Sequence, residues 1–141
     1  MLIASALIVF LTLPGATIQA MGVRAFTATD FPRARVFFQV ALDHEPRSVT
    51  RAAILTSLAA TECHLGNYTA AVERYRQALD IRESALGPSH ADTLMSLKNL
   101  GYALRRSGQS RQALDRAAPG TAGYAWRQGF LIDALVRAPK R

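Results

Sequence analysis

Leu65-Gly66-Asn67-Tyr68-Thr69-Ala70-Ala71 and Ser107-Gly108-Gln109-Ser110-Arg111-Gln112-Ala113 stand 42 residues apart. Each follows a stretch whose small or apolar residues recur every three or four positions. In the first copy these are Ala52, Leu55, Leu58, Ala59 and Leu65; in the second, Leu94, Leu97, Leu100, Gly101 and Leu104. That spacing places them on one face of a helix. After the first glycine a second helix begins, with Tyr68, Ala71, Tyr75, Ala78 and Leu79 on one face and Asn67 as its expected N-cap. Helix, glycine turn, helix is an αα-hairpin, and its recurrence at a fixed period predicts a helical repeat array.

Working outward, Phe31, Ala34, Phe38 and Ala41 repeat the Tyr68, Ala71, Tyr75, Ala78 pattern 37 residues earlier. Asp30 is the expected cap of that helix, with Pro32 tolerated in its first turn. Pro46 closes it and Ser48 caps the next. The same offset makes Gly15 to Ala28 a first helix and sets Met21-Gly22 where Leu58-Ala59 stand. Small residues at Gly22, Ala59 and Gly101, and at Ala34, Ala71 and Ala113, let paired helices approach to the short end of the usual 8–10 Å separation. Phe38 and Tyr75 fill the space beside them; Ala117 holds that place in the last copy.

The predicted fold is therefore all-α, a solenoid of antiparallel helix hairpins about two and a half to three repeats long. Its expected divisions are an apolar amino-terminal segment at 1–14, a degenerate hairpin at 15–48 and a hairpin at 49–90. A truncated hairpin at 91–118 and a capping helix with a basic tail at 119–141 follow. Pro119-Gly120 ends the last repeat, and Trp126, Phe130 and Ala134 share one face of the expected capping helix, as solenoid ends require.

Met1 to Val23 carries no charged side chain, and Leu2 to Leu13 is nearly all aliphatic. Three readings stand side by side. A signal peptide cut after Ala20 would send the chain out of the cytoplasm, although no Lys or Arg precedes the apolar run. A membrane span would need about 20 apolar residues, and Pro14, Gly15, Thr17 and Gln19 dilute the second half. A buried helix of the array agrees with the repeat phase and leaves the chain cytoplasmic.

The formal net charge is +7, with 17 Lys and Arg against 10 Asp and Glu. That surplus suits acidic partners. It forms no block of five or six like charges, so nucleic acid is disfavoured and a solvated helical surface preferred. One cysteine, Cys63, excludes an internal disulfide. Cys63, His64, His44 and His90 fit no metal-ligand spacing. No phosphate-binding glycine loop or nucleophile elbow occurs. Glu62, Glu73 and Glu83 are spread at helical spacings, unlike an acid/base pair. The reading is a non-catalytic chain without cofactor or metal.

At these residues the chain resembles the tetratricopeptide repeat family, in the long, 42-residue variety found in kinesin light chains. Leu65 to Ile81 is similar to the second helix of that repeat, Arg82 to Thr93 to its long linker, and Ser96 to Leu104 to the next first helix. Gly87-Pro88 would end one helix, and Ser89 would cap the next with Asp92 reaching back. The resemblance covers 49–117 well and 15–46 more faintly. It implies a protein-binding scaffold holding a peptide or partner helix in a groove lined by first helices. Gln19, Val23, Thr56, Ser57, Ala60 and Cys63 would face that groove, with Lys98, Asn99, Tyr102, Arg105 and Arg106 from the last repeat. The expected partner-binding set is Thr56, Ser57, Lys98, Asn99, Tyr102, Arg105 and Arg106, for an acidic peptide. The alternative is a subunit of a larger assembly that oligomerises through its solenoid ends. Membrane contact through residues 1–20 and homo-oligomerisation complete the expected partners.

Overall fold

The computed structural model describes residues 13–46 and 48–108, which fold as five α-helices. These are α1 Gly15–Thr27, α2 Phe31–His44, α3 Val49–His64, α4 Tyr68–Leu86 and α5 Ala91–Ser107. Each helix packs on its neighbours in sequence, and α1 also reaches α3. Two hairpins, α1–α2 and α3–α4, are followed by α5 laid against α4, giving an all-α solenoid of about two and a half repeats. The apolar run at 1–12, the second helix of the last repeat with Ala113 and Ala117, and the capping helix and basic tail at 119–141 lie outside the described residues. No helix among the described residues is long and apolar enough to cross a membrane. Ala20 stands within α1, and Ile18 beside it is fully buried.

The glycine turn acts as its spacing implies. Gly66 has φ 81° and Gly108 φ 75°, a left-handed conformation that disfavours any Cβ. At the end of α3 the Asn67 N–H donates to the Glu62 carbonyl at 2.8 Å and the Gly66 N–H to the Cys63 carbonyl at 3.1 Å. This Schellman pairing satisfies the last carbonyls of the helix. The first hairpin makes the same turn without glycine. Thr29, at φ 60°, takes the place of Gly66, while the Asp30 N–H donates to the Ala25 carbonyl at 2.9 Å. The first copy is degenerate at this backbone position as well as in its side chains.

Asp30 and Ser48 cap their helices as expected, accepting from the Arg33 and Arg51 N–H groups, each at 3.2 Å. Two caps differ. Asn67 stands at the N-cap of α4 but its side chain makes no cap bond; its amide instead donates to Glu62 Oε2 at 2.7 Å. At α5 the N-cap is His90, not Ser89, and its Nδ1 accepts from the Asp92 N–H at 3.1 Å. The long linker is also shorter than the resemblance implies, because Arg82 to Leu86 continue α4 to its end.

Gly22 lies under the Phe38 ring. A Cβ at Gly22 would stand 2.7 Å from Phe38 Cε1, inside van der Waals contact. Phe38 is 1% exposed and joins Ile18, Ala34, Ala52, Leu55 and Leu58 in a core that spans both hairpins. A second cluster joins Ala59, Ala71, Tyr75 and Leu79 to Leu97, Leu100 and Leu104 of α5. Arg51 fastens the joint between the hairpins: its Nη1 donates to the carbonyls of Leu42 and Glu45 at the end of α2, at 2.6 and 2.8 Å. On the opposite side of that joint the His64 ring stacks on Phe31 at 4.4 Å, with Phe26 edge-on to both.

Candidate functional site

Lys98, Tyr102 and Arg105 follow one another at intervals of four and three, so α5 carries them on one face. Lys98 is exposed, Asn99 half-buried, and Tyr102 44% exposed. The Arg105 guanidinium lies 5.8 Å from the centre of the Tyr102 ring. Met95, 52% exposed, extends the strip by one turn toward the start of α5. Arg106 turns toward the second hairpin: its Nη2 donates to the Tyr68 hydroxyl at 2.7 Å, and its guanidinium stands 5.0 Å from the ring centre. Cation–aromatic pairing of this kind orders a long side chain that would otherwise move freely.

On α3, Thr56 and Ser57 are half-buried, and both donate their hydroxyl protons to their own helix, to the carbonyls of Ala52 and Ala53. Only their oxygens remain for another group. Cys63 is half-buried. Burial pushes the Cys63 thiol above its ordinary value, and the Arg106 charge partly offsets this. Burial also pushes the Tyr75 phenol well above its ordinary value. Of the first-copy groove residues, Gln19 is half-buried and Val23 is 46% exposed.

Two residues absent from the expected set enter the site. Tyr68 anchors Arg106. Arg82, 9% exposed, reaches from α4 between the first helices: its Nη1 donates to Thr56 Oγ1 at 3.1 Å on α3 and to Ser96 Oγ at 2.6 Å on α5. Ser96 in turn donates to the Asp92 carbonyl at 3.1 Å. Helical periodicity carries no sign of this node, since an arginine near a helix end reads as solvated. The pairing of Thr56 with Ser96 across successive first helices is the one signal that could have located it.

The family model for the tetratricopeptide repeat matches residues 50–118, the stretch that opens with α3 and runs past α5. Repeats of this family are protein-interaction modules, in general without catalysis. A comparison with curated proteins gives no match.

Proposed function

Residues 50–118 belong to the tetratricopeptide repeat family, and on that footing we propose that the chain is a scaffold binding an extended acidic peptide along α1, α3 and α5. The observation that supports this reading is the cationic and aromatic strip on α5, where Lys98, Tyr102 and Arg105 share a face with Arg106 beside them. In this reading Asn99 donates to and accepts from the peptide backbone. Lys98, Arg105 and Arg106 pair acidic side chains, and Tyr102 with Met95 supplies apolar footing. Ser57 offers an acceptor oxygen to a peptide N–H group, beside Thr56, whose oxygen accepts from Arg82. For this purpose the array divides at 15–48, 49–90 and 91–118, the last a truncated repeat of which the structure describes the helix Ala91–Ser107. The surplus of positive charge speeds encounter with an acidic chain.

Fluorescence anisotropy of a labelled hexaglutamate peptide tests the reading, with expected affinity in the micromolar range or weaker. Replacing Asn99 and Arg105 together with Ala should weaken binding about tenfold, by the size of two lost polar contacts. Unchanged binding by the double variant would sink it.

A further inference from the structure

The flank of the first hairpin is apolar where its counterpart in the second is polar. Val36, Phe37 and Val40 share one side of α2 at helical spacing, next to the buried Ala34, Phe38 and Ala41. Thirty-seven residues on, α4 carries Glu73, Arg74 and Gln77 at the same places. Val36 is 54% exposed, while Phe37 and Val40 are half-buried against the first core cluster. On α4 this flank borders open space: Gln77 lines a crevice with Ser48, Arg51 and Leu55 at the start of α3. Counted back by the same 37 residues, Arg51 and Leu55 become Pro14 and Ile18, so the place beside Val40 is walled by apolar groups. His44 stands where Ile81 does, and the apolar strip ends there, one turn past Val40. The adjoining helix also lacks cover. Thr17 is exposed and Met21 half-buried, where Ile54 and Leu58 of α3 are 0% and 1% exposed. Solenoid ends that meet water carry polar outer faces; an apolar one has the character of an internal repeat and calls for a cover.

We infer that residues 2–11, Leu2-Ile3-Ala4-Ser5-Ala6-Leu7-Ile8-Val9-Phe10-Leu11, fold back onto this flank and form the amino-terminal cap of the array. The segment is uncharged and nearly all aliphatic, which matches Val36, Phe37 and Val40. It is delivered to the right place, because the start of α1 meets the end of α2: a Cβ on Gly15 would stand 3.1 Å from His44 Cβ. Pro14 is extended, at φ −57° and ψ 140°, and biases Leu13 toward extended backbone as well, so the chain leaves the α1 axis there. Leu13 is itself packed against the first core cluster, which anchors the entry. Ten residues span about 15 Å as a helix, enough to pass Val40 and Val36, which stand about 6 Å apart along α2. A strip this small would not hold a second copy, since a stable interface takes about 20–30 residues from each partner. A tethered segment needs far less, because the linkage keeps it at an effective concentration on the order of millimolar. Seated on α2, the segment is withheld from any bilayer, so capping and membrane anchoring exclude each other.

Amide hydrogen exchange of the full-length chain in lipid-free buffer tests the cap. Amides of residues 4–11 should exchange at least about tenfold more slowly than in an unfolded peptide, at a rate independent of chain concentration. The triple variant Val36→Glu, Phe37→Arg, Val40→Gln gives α2 the flank that α4 has. It should return those amides to within about twofold of unfolded rates while α3, α4 and α5 keep their protection. In flotation with vesicles of phosphatidylcholine and phosphatidylglycerol, the unmodified chain should stay below the lipid. Unprotected amides at 4–11 in the unmodified chain, or protection that survives in the triple variant, would overturn the inference. Protection that grows with chain concentration would overturn it in favour of a second copy, and an unmodified chain that rises with the vesicles in favour of an anchor. Should the variant fail to fold, nuclear Overhauser contacts in the unmodified chain decide. Contacts between the Phe37 ring and methyl groups of residues 2–11 support the cap, and their absence overturns it.

Discussion

Thr29 holds φ 60° where the later repeats place glycine, a conformation in which its branched side chain crowds its own backbone. Thr29→Gly should therefore stabilise the chain by about 0.5–1 kcal/mol, the left-handed strain relieved less the entropy lost by a freer unfolded residue. Urea denaturation reads this, and an unchanged or lower midpoint would contradict it. A second prediction concerns Cys63 and Tyr75, whose ordinary values are 9.0 and 10.0 and whose folded values are both raised. Each stays protonated in the fold at a pH where the unfolded chain has begun to ionise. Their contribution is thus complete below the unfolded values and lost as pH climbs through the folded ones. The urea midpoint should hold level to about pH 8.5 and fall beyond it, with Tyr75→Phe flattening the fall. A midpoint that rises with pH in that range would refute the sign. At this scale the sequence was half legible. Gly66 and Gly108 announce their turns by residue type, whereas Thr29 adopts the same backbone against its preference, held there by the Asp30 and Thr29 N–H bonds to α1.

Helices were legible where periodicity and caps agree, as at Asp30 and Ser48. They were less so where side chains compete for the same donor. Asn67 is drawn away from its cap by Glu62, and His90 takes the place expected of Ser89 because its Nδ1 reaches the Asp92 N–H. Arg82 was illegible for a different reason: its burial depends on hydroxyls 26 residues before it and 14 after it, which no local pattern relates. The joint between α2 and α3 carries the prediction at this scale. Arg51→Ala would leave the Leu42 and Glu45 carbonyls without their charged donor, and should destabilise the chain by about 1.5–3 kcal/mol. A loss below about 0.5 kcal/mol in chemical denaturation would show that water replaces the guanidinium freely.

Across the whole array, stability should follow position. The α3–α4 hairpin is covered on one side by α1–α2 and on the other by α5, and the two core clusters meet in it. In an array held by nearest neighbours, the unit with two interfaces opens last. Amide exchange should accordingly be slowest in α3 and α4 and faster in α1. Equal protection in all five helices would instead mark a single cooperative block. The architecture was readable from the 42-residue spacing of the turns at Gly66 and Gly108, and from the small and aromatic places that α2 and α4 share at an offset of 37. The proposed binding face was legible only for α5, where charge accumulates on one side.

Gly22 beneath Phe38 has a consequence in the terms of heredity. The equivalent places one repeat later are Ala59 and Tyr75, which share a core cluster. Each hairpin has matched its small residue to its own ring, so the helices are no longer interchangeable between repeats. A recombination that joined the Phe38 helix to an Ala59-type partner would set a methyl group against the ring, where no room is left. The gene can gain or lose whole hairpins more readily than it can shuffle halves.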